Sequence, residues 1–181
     1  MKGVAFRSVL ASLAELRGDE SVERALGQLT ADERSEIEFR IVQTGWYPIE
    51  LYRRLFDVIV ETTGEGASIV RAIGAAAIRR DITGVYRVMF SVLSPETVIA
   101  LAGKLFNSYY DTGTVAIVER RSGYARSSYA RCFGFDANMW TEVLGSSEAL
   151  LAIAGAKHVR AQLVRGGDDA ACECVMEARW A

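Results

Sequence analysis

The hydrophobic period of this chain changes at Gly113. Before that residue, apolar side chains recur at three- and four-residue spacing; after it they alternate. A helix buries a stripe and a strand buries a face, so a chain that reads helix first and strand second is constrained to layers that cover each other, an α+β architecture. The expected arrangement is an N-terminal helical bundle packed on a C-terminal four-stranded antiparallel sheet, with a helix between the two hairpins. Residues 1–113 supply the mainly helical part and 114–181 the sheet and its helix. At 181 residues, 1–181 is expected to form a single domain.

The helical signals have identifiable starts and stops. Val9, Leu10, Leu13 and Leu16 form a first stripe that halts at Gly18, and Asp19 or Ser21 is placed to cap a short second helix. Thr30 and Glu33 match a capping box. Pro48 is expected to preset the first turn of a helix whose stripe is Ile49, Tyr52, Leu55, Phe56, Ile59 and Val60. Ile69, Val70, Ile73 and Ala77 repeat the pattern, and further helical turns run around 85–93. Ser94-Pro95-Glu96 then begins one long helix carrying Val98, Ile99, Leu101, Leu105, Phe106 and Tyr109 on one side. Strand pairs are expected at 114–120 with 124–132 and at 158–164 with 172–180; Asp136 caps the helix between them. In the last strand Cys172, Cys174, Met176, Ala178 and Trp180 share the face expected to be buried.

Composition excludes several classes of function. Half the residues are hydrophobic and only two are proline, which rules out a disordered chain. A net charge of -2 predicts no nucleic-acid or membrane-surface partner, and charges interrupt every apolar stretch before the roughly 18–20 residues of a membrane span, so no membrane insertion is expected. The opening residues have no secretory pattern, and three cysteines make no disulfide framework; a cytoplasmic protein with free thiols is expected. The one histidine, His158, falls at the start of an expected strand with no nucleophile-base signature around it, so no enzymatic role is expected. Cys172 and Cys174 would share a strand face, but a zinc centre needs three or four convergent ligands; they read as core residues, with no metal and no cofactor. Arg120, Arg121, Arg126 and Arg131 crowd the first hairpin, where they either receive a carboxylate or phosphate from a partner or form a solvated sheet face.

The aromatic residues Tyr86, Phe90, Phe106, Tyr109, Tyr110 and Trp140 are the candidate ligand-binding set. Their rings suit a core, and their polar tips suit a pocket, which is mainly apolar with a few hydrogen-bonding groups.

Met1-Lys2-Gly3-Val4-Ala5-Phe6, the Gly18-Asp19-Glu20 break, Trp46-Tyr47-Pro48-Ile49-Glu50-Leu51-Tyr52, the Gly74 region, Thr83-Gly84-Val85-Tyr86-Arg87, Ser94-Pro95-Glu96 and Tyr109-Tyr110-Asp111-Thr112-Gly113 together resemble a paralogous myxobacterial family without an assigned function. More distantly, the opening, the Tyr-Pro helix start and the helix-then-sheet order resemble the haem nitric-oxide/oxygen-binding domains. The Gly-Gly-Asp-Asp turn followed by Cys172, with the ending at Arg179-Trp180, is similar to the four-vinyl-reductase sensory domains. These belong to one superfamily with vesicle-tethering adaptor subunits, and the resemblance implies a helical bundle on an antiparallel sheet that often encloses a ligand. The haem-binding relatives ligate iron through a histidine on the long helix before the sheet and hold the propionates with a Tyr-x-Ser-x-Arg motif. Here residues 96–110 contain no histidine, and Tyr124-Ala125-Arg126-Ser127-Ser128-Tyr129-Ala130-Arg131 has those residue types at another spacing. Cys172 matches the second cysteine of the zinc-containing sensory relatives, while Val164 and its neighbours stand where the first should be. The resemblance therefore implies the fold and a sensing or docking role without the usual cofactors.

The expected function is a non-enzymatic regulatory or sensory domain that binds a small apolar or amphipathic ligand between helices and sheet and signals to a protein partner or a second copy. The alternative is a protein-protein interaction adaptor with a filled core. A cavity of roughly 300 Å³ or more behind the aromatic set would favour the sensor, and a packed interior the adaptor.

Overall fold

The computed structural model of the chain describes residues 1–82, 84–168 and 172–181, with the backbone alone for 84–87. It is α+β, and the helices, in order, are α1 (Gly3–Arg17), α2 (Asp19–Leu26), α3 (Ala31–Ser35), α4 (Ile49–Thr63), α5 (Ala67–Asp81), α6 (Gly84–Val92), α7 (Pro95–Ala100), α8 (Ala102–Tyr109) and α9 (Ala137–Ile153). Strands β1 (Thr114–Arg121), β2 (Tyr124–Ala130), β3 (Arg160–Gly166) and β4 (Cys174–Arg179) form one antiparallel sheet in the order β1-β2-β4-β3, with α9 between the hairpins. Among the described residues, no helix is long and apolar enough to cross a membrane.

Several boundaries follow from local hydrogen bonding. Thr30 Oγ1 accepts the Glu33 N–H at 3.3 Å, and the Glu33 carboxylate accepts the Thr30 N–H at 2.8 Å, closing the capping box before α3. Ser94 Oγ accepts the Thr97 N–H at 3.2 Å with Pro95 in the first turn of α7, and Asp136 Oδ1 accepts the Met139 N–H at 2.8 Å at the start of α9. Neither Asp19 nor Ser21 caps α2. Gly18, at φ 84°, both closes α1 and leads directly into α2, and the Ser21 hydroxyl donates back to the Arg17 carbonyl. Pro48 is the residue before α4 rather than a member of its first turn.

Three other expectations are corrected. The single long helix after Ser94 is two helices, because the chain turns at Leu101 (φ −91°, ψ −4°). Gly103 follows the turn where α8 lies against β1; a Cβ there would sit 3.4 Å from the Val115 carbonyl, an ordinary van der Waals contact. His158 lies in a left-handed turn (φ 52°) ahead of β3, not in the strand. Cys172 is exposed outside β4, whereas Cys174 is buried within it, so the two cysteines do not share a core face. The arginines of the first hairpin fit the solvated-face alternative: Arg120, Arg121 and Arg131 are exposed, while Arg126 pairs with Glu177 at 2.6 Å, Arg121 pairs with Glu119 and lies over the Tyr124 ring, and Arg120 donates to the Glu96 carbonyl.

The main core runs from α1, α2, α4 and α5 across α9 to the inner face of the sheet, where Cys174, Met176 and Ala178 are buried. A smaller cluster around Ile78, Ile82, Phe90, Val98, Ala149 and Ala154 lies beside it. Two glycines set the spacing of α5 and α9. A Cβ at Gly74 would collide with the Glu142 carbonyl, and one at Gly145 with the Arg71 carbonyl. Backbone thus meets backbone at the crossing, and this fixes Glu142 inside the molecule instead of on its surface.

Candidate functional site

A cavity of about 90 Å³ lies where α1, α4, α5, α8, α9 and β2 converge. Small residues explain the unfilled space: Ala5, Ser8, Ala77, Ala102, Ser146 and Ser147 line it. Ile78, Leu105 and Leu150 give it apolar walls, while Phe106, Tyr109, Tyr110 and Tyr129 present rings.

Two carboxylates enter this apolar space. Asp81, the last residue of α5, accepts hydrogen bonds from Ser8 Oγ at 2.5 Å and Tyr109 Oη at 2.7 Å. Glu142, in α9, is 7% exposed and accepts one from Tyr110 Oη at 2.7 Å on its Oε2 atom. Tyr52 is 0% exposed; its hydroxyl lies beside Glu142 and finds no hydrogen-bond partner of full geometry among the described residues. The Tyr129 hydroxyl meets the Ser147 side chain. Among the described residues no Lys, Arg or His lines the cavity, and neither Asp81 nor Glu142 has a basic partner.

Burial therefore dominates the electrostatics. It raises the Glu142 carboxyl to about 7, assisted by the nearby Asp81 charge and opposed by the Tyr110 and Tyr52 hydroxyls. Burial likewise drives the Tyr52 and Tyr110 hydroxyls well above the usual phenol range, with the Glu142 charge adding to it. For Tyr109, burial and Asp81 act in the same direction. The arrangement is thus a net-acidic, aromatic chamber with one buried hydroxyl that has no partner of full geometry among the described residues.

Three of the aromatic residues singled out from the sequence, Phe106, Tyr109 and Tyr110, line this cavity. Phe90 does not, because α6 directs it into the smaller cluster with Ile78 and Val98. Trp140 stands behind the wall, packed on Phe135 at 4.6 Å and Tyr129 at 5.7 Å between ring centroids. The Tyr86 side chain lies outside the described residues. Sequence reasoning missed Tyr52, Asp81, Tyr129 and Glu142, together with the serines. Two of these carried a signal: Glu142 interrupts an otherwise apolar stretch of α9, and Asp81 places negative charge at a helix C-terminus, against the helix dipole.

No protein-family model matches the chain, and no curated protein matches it. Solved structures do. The chain is similar to the Fe(II) unliganded H-NOX protein from K. algicida, at 13% identity over 100% of this chain and 97% of that one, with a TM-score of 0.74. An oxygen-binding H-NOX domain related to soluble guanylate cyclases, in its oxygen complex, matches at 15% identity, 99% and 95% coverage and TM-score 0.72. A variant of the T. tengcongensis H-NOX matches at 18% identity, 99% and 97% coverage and TM-score 0.64.

The likeness raises the question of whether haem would fit here, and the residues present do not suit it. Pockets for drug-sized ligands enclose about 300–1,000 Å³, against about 90 Å³ in this cavity. The space between α8 and the sheet is filled by rings: Phe106 stacks on Tyr110 at 4.5 Å and on Phe135 at 5.8 Å. Helix α8 carries no histidine, and His158 is exposed on the approach to β3. The buried thiols of Cys132 and Cys174 are pushed up to about 11 and about 12, chiefly by burial. Among the described residues no group of three or more His, Cys, Asp or Glu is placed to hold a metal ion. The chain has the fold of these H-NOX structures, with a small acidic and aromatic cavity among its helices.

Proposed function

We propose that this chain is a non-enzymatic regulatory domain, acting in the cytoplasm, whose cavity senses a small amphipathic molecule and whose state is read by a protein partner or a second copy. The observation that carries this reading is the Tyr52 hydroxyl. A buried, unpartnered hydroxyl costs about 1–3 kcal/mol, and such a group calls for a specific explanation. A ligand that supplies the missing hydrogen bond recovers that cost in the occupied state alone.

The same chamber gives a route from occupancy to shape. Tyr109 at the end of α8 is bonded to Asp81 on α5, and the adjacent Tyr110 to Glu142 on α9. The Tyr109 carbonyl also accepts the Lys2 N–H at 2.8 Å, which ties the end of α8 to the start of α1. A ligand competing for these carboxylates favours one placement of α8 over another, and it shifts the population only by its difference in affinity for the two. The sheet and the outer helices transmit that difference.

The adaptor reading has an observation of its own: the cavity is below the roughly 300 Å³ typical of ligand pockets, and Phe39, Val42 and Trp46 are exposed near one another in sequence. Native mass spectrometry beside the denatured mass separates the two. The sensor is expected to retain a small organic mass; a bare chain that gains a tight protein partner supports the adaptor.

A further inference from the structure

We infer that the ligand of this cavity is a small primary alkylammonium ion, its nitrogen seated among Glu142, Asp81 and the Tyr52 hydroxyl and its alkyl group against Leu105 and Leu150. The inference rests on the proposed sensing role and names the ligand class.

Charge comes first. Two carboxylates line the cavity with no cation beside them among the described residues. An anion would be repelled, and a neutral ligand would leave the charge unpaired in a poorly solvated space. Hydrogen-bonding capacity comes second. An ammonium group offers three N–H donors and no acceptor. Among the described residues the Tyr52 oxygen has no hydrogen-bond partner of full geometry, and Glu142 receives Tyr110 on Oε2. Ring faces come third, since the phenol and benzyl rings of Tyr52, Phe106, Tyr109, Tyr110 and Tyr129 surround the space, and aromatic faces attract organic cations. Size comes last. An apolar cavity of about 150 Å³ accommodates benzene, so a chamber of about 90 Å³ takes an alkyl group of a few carbons, and the apolar walls exclude a bare hydrated metal ion.

The groups facing Glu142 are Tyr52 from α4, Asp81 from α5, Tyr109 from α8 and Tyr110 just beyond it. With the Glu142 carboxyl near 7, an incoming cation must displace its proton in acid. Affinity is therefore expected to fall about tenfold from pH 8 to pH 6.

The test is calorimetric titration of the full chain with isopropylammonium chloride, 2-propanol and sodium isobutyrate, which share a shape and differ in charge. Saturable binding of isopropylammonium alone, with the pH dependence above, supports the proposal. Glu142→Gln, verified as folded by urea titration, should weaken binding about 10- to 100-fold, the worth of one charged hydrogen bond. Tyr52→Phe provides a second variant: it deletes an unpartnered hydroxyl, so it should leave folding intact and weaken binding about fivefold. If 2-propanol or isobutyrate binds as well as the cation, the cation class is overturned and the ligand-site reading stands. If none of the three saturates, both fail. Undiminished binding to folded Glu142→Gln would place the cation elsewhere and overturn the proposal.

Discussion

Glu142→Gln should uncouple the stability of this protein from pH across the neutral range. In the native state burial holds the carboxyl near 7, against its ordinary 4.5. A carboxyl raised in the native state contributes stability that is fully present below the unfolded value and is lost as pH rises through the folded one. The separation corresponds to about 3 kcal/mol, at about 1.4 kcal/mol per pH unit, and no exposure discount applies because the side chain is buried. The glutamine has no such titration, yet its amide oxygen still accepts the Tyr110 hydroxyl that now sits 2.7 Å from the carboxylate. Urea unfolding of both proteins from pH 4.5 to 8.5, analysed at a common m-value, gives the comparison. The stability difference should swing by about 3 kcal/mol in favour of Glu142→Gln as pH rises, steepest between pH 5 and 7, while groups common to both chains cancel. A difference flat to within about 0.5 kcal/mol would mean that the carboxylate is ionised and solvated throughout, and the account of a buried acidic chamber would fail.

Three further outcomes follow from the geometry. Phe106→Ala removes a ring that stacks on Tyr110 and Phe135 and meets Tyr129 edge-on; chemical denaturation should show a loss of about 3–5 kcal/mol, and in the sensor reading ligand affinity falls as well. Gly145→Ala improves intrinsic helix propensity by about 1 kcal/mol, but its Cβ would strike the Arg71 carbonyl, so the melting temperature should fall, reflecting a net loss of about 1–3 kcal/mol from overpacking. Arg126→Ala should flatten the acid limb of the stability curve: hydrogen bonds from Arg126 and then Tyr124 hold the Glu177 carboxyl down to about 2, so stability present above the ordinary carboxylate range is lost as pH falls toward 2 in the parent and less of it in the variant, where Tyr124 and Arg179 still bond the carboxylate.

The architecture was legible because period and punctuation agree. The change at Gly113 separates bundle from sheet, and the capping box at Thr30 and the caps at Ser94 and Asp136 sit where the backbone uses them. The break at Leu101 was not legible, since the apolar stripe from Val98 to Tyr109 continues across it; the approach of Gly103 to the Val115 carbonyl is a tertiary fact. The site was half legible. Phe106, Tyr109 and Tyr110 stand out as a cluster of rings, whereas Tyr52 reads as one more member of a core stripe until its hydroxyl is seen without a partner. Glu142 owes its burial to the glycine-mediated crossing of α5 and α9, which joins residues far apart in the chain.

The most direct test of the central claim is a crystallographic density map of the purified protein around Tyr52, Asp81 and Glu142. The account predicts a small ordered molecule touching the Tyr52 hydroxyl and the Glu142 carboxylate, with Phe106, Tyr110, Phe135 and Trp140 packed as a closed wall. A collapsed cavity with Tyr52 hydrogen-bonded inside the chain, or a porphyrin parting α8 from the sheet, would contradict it.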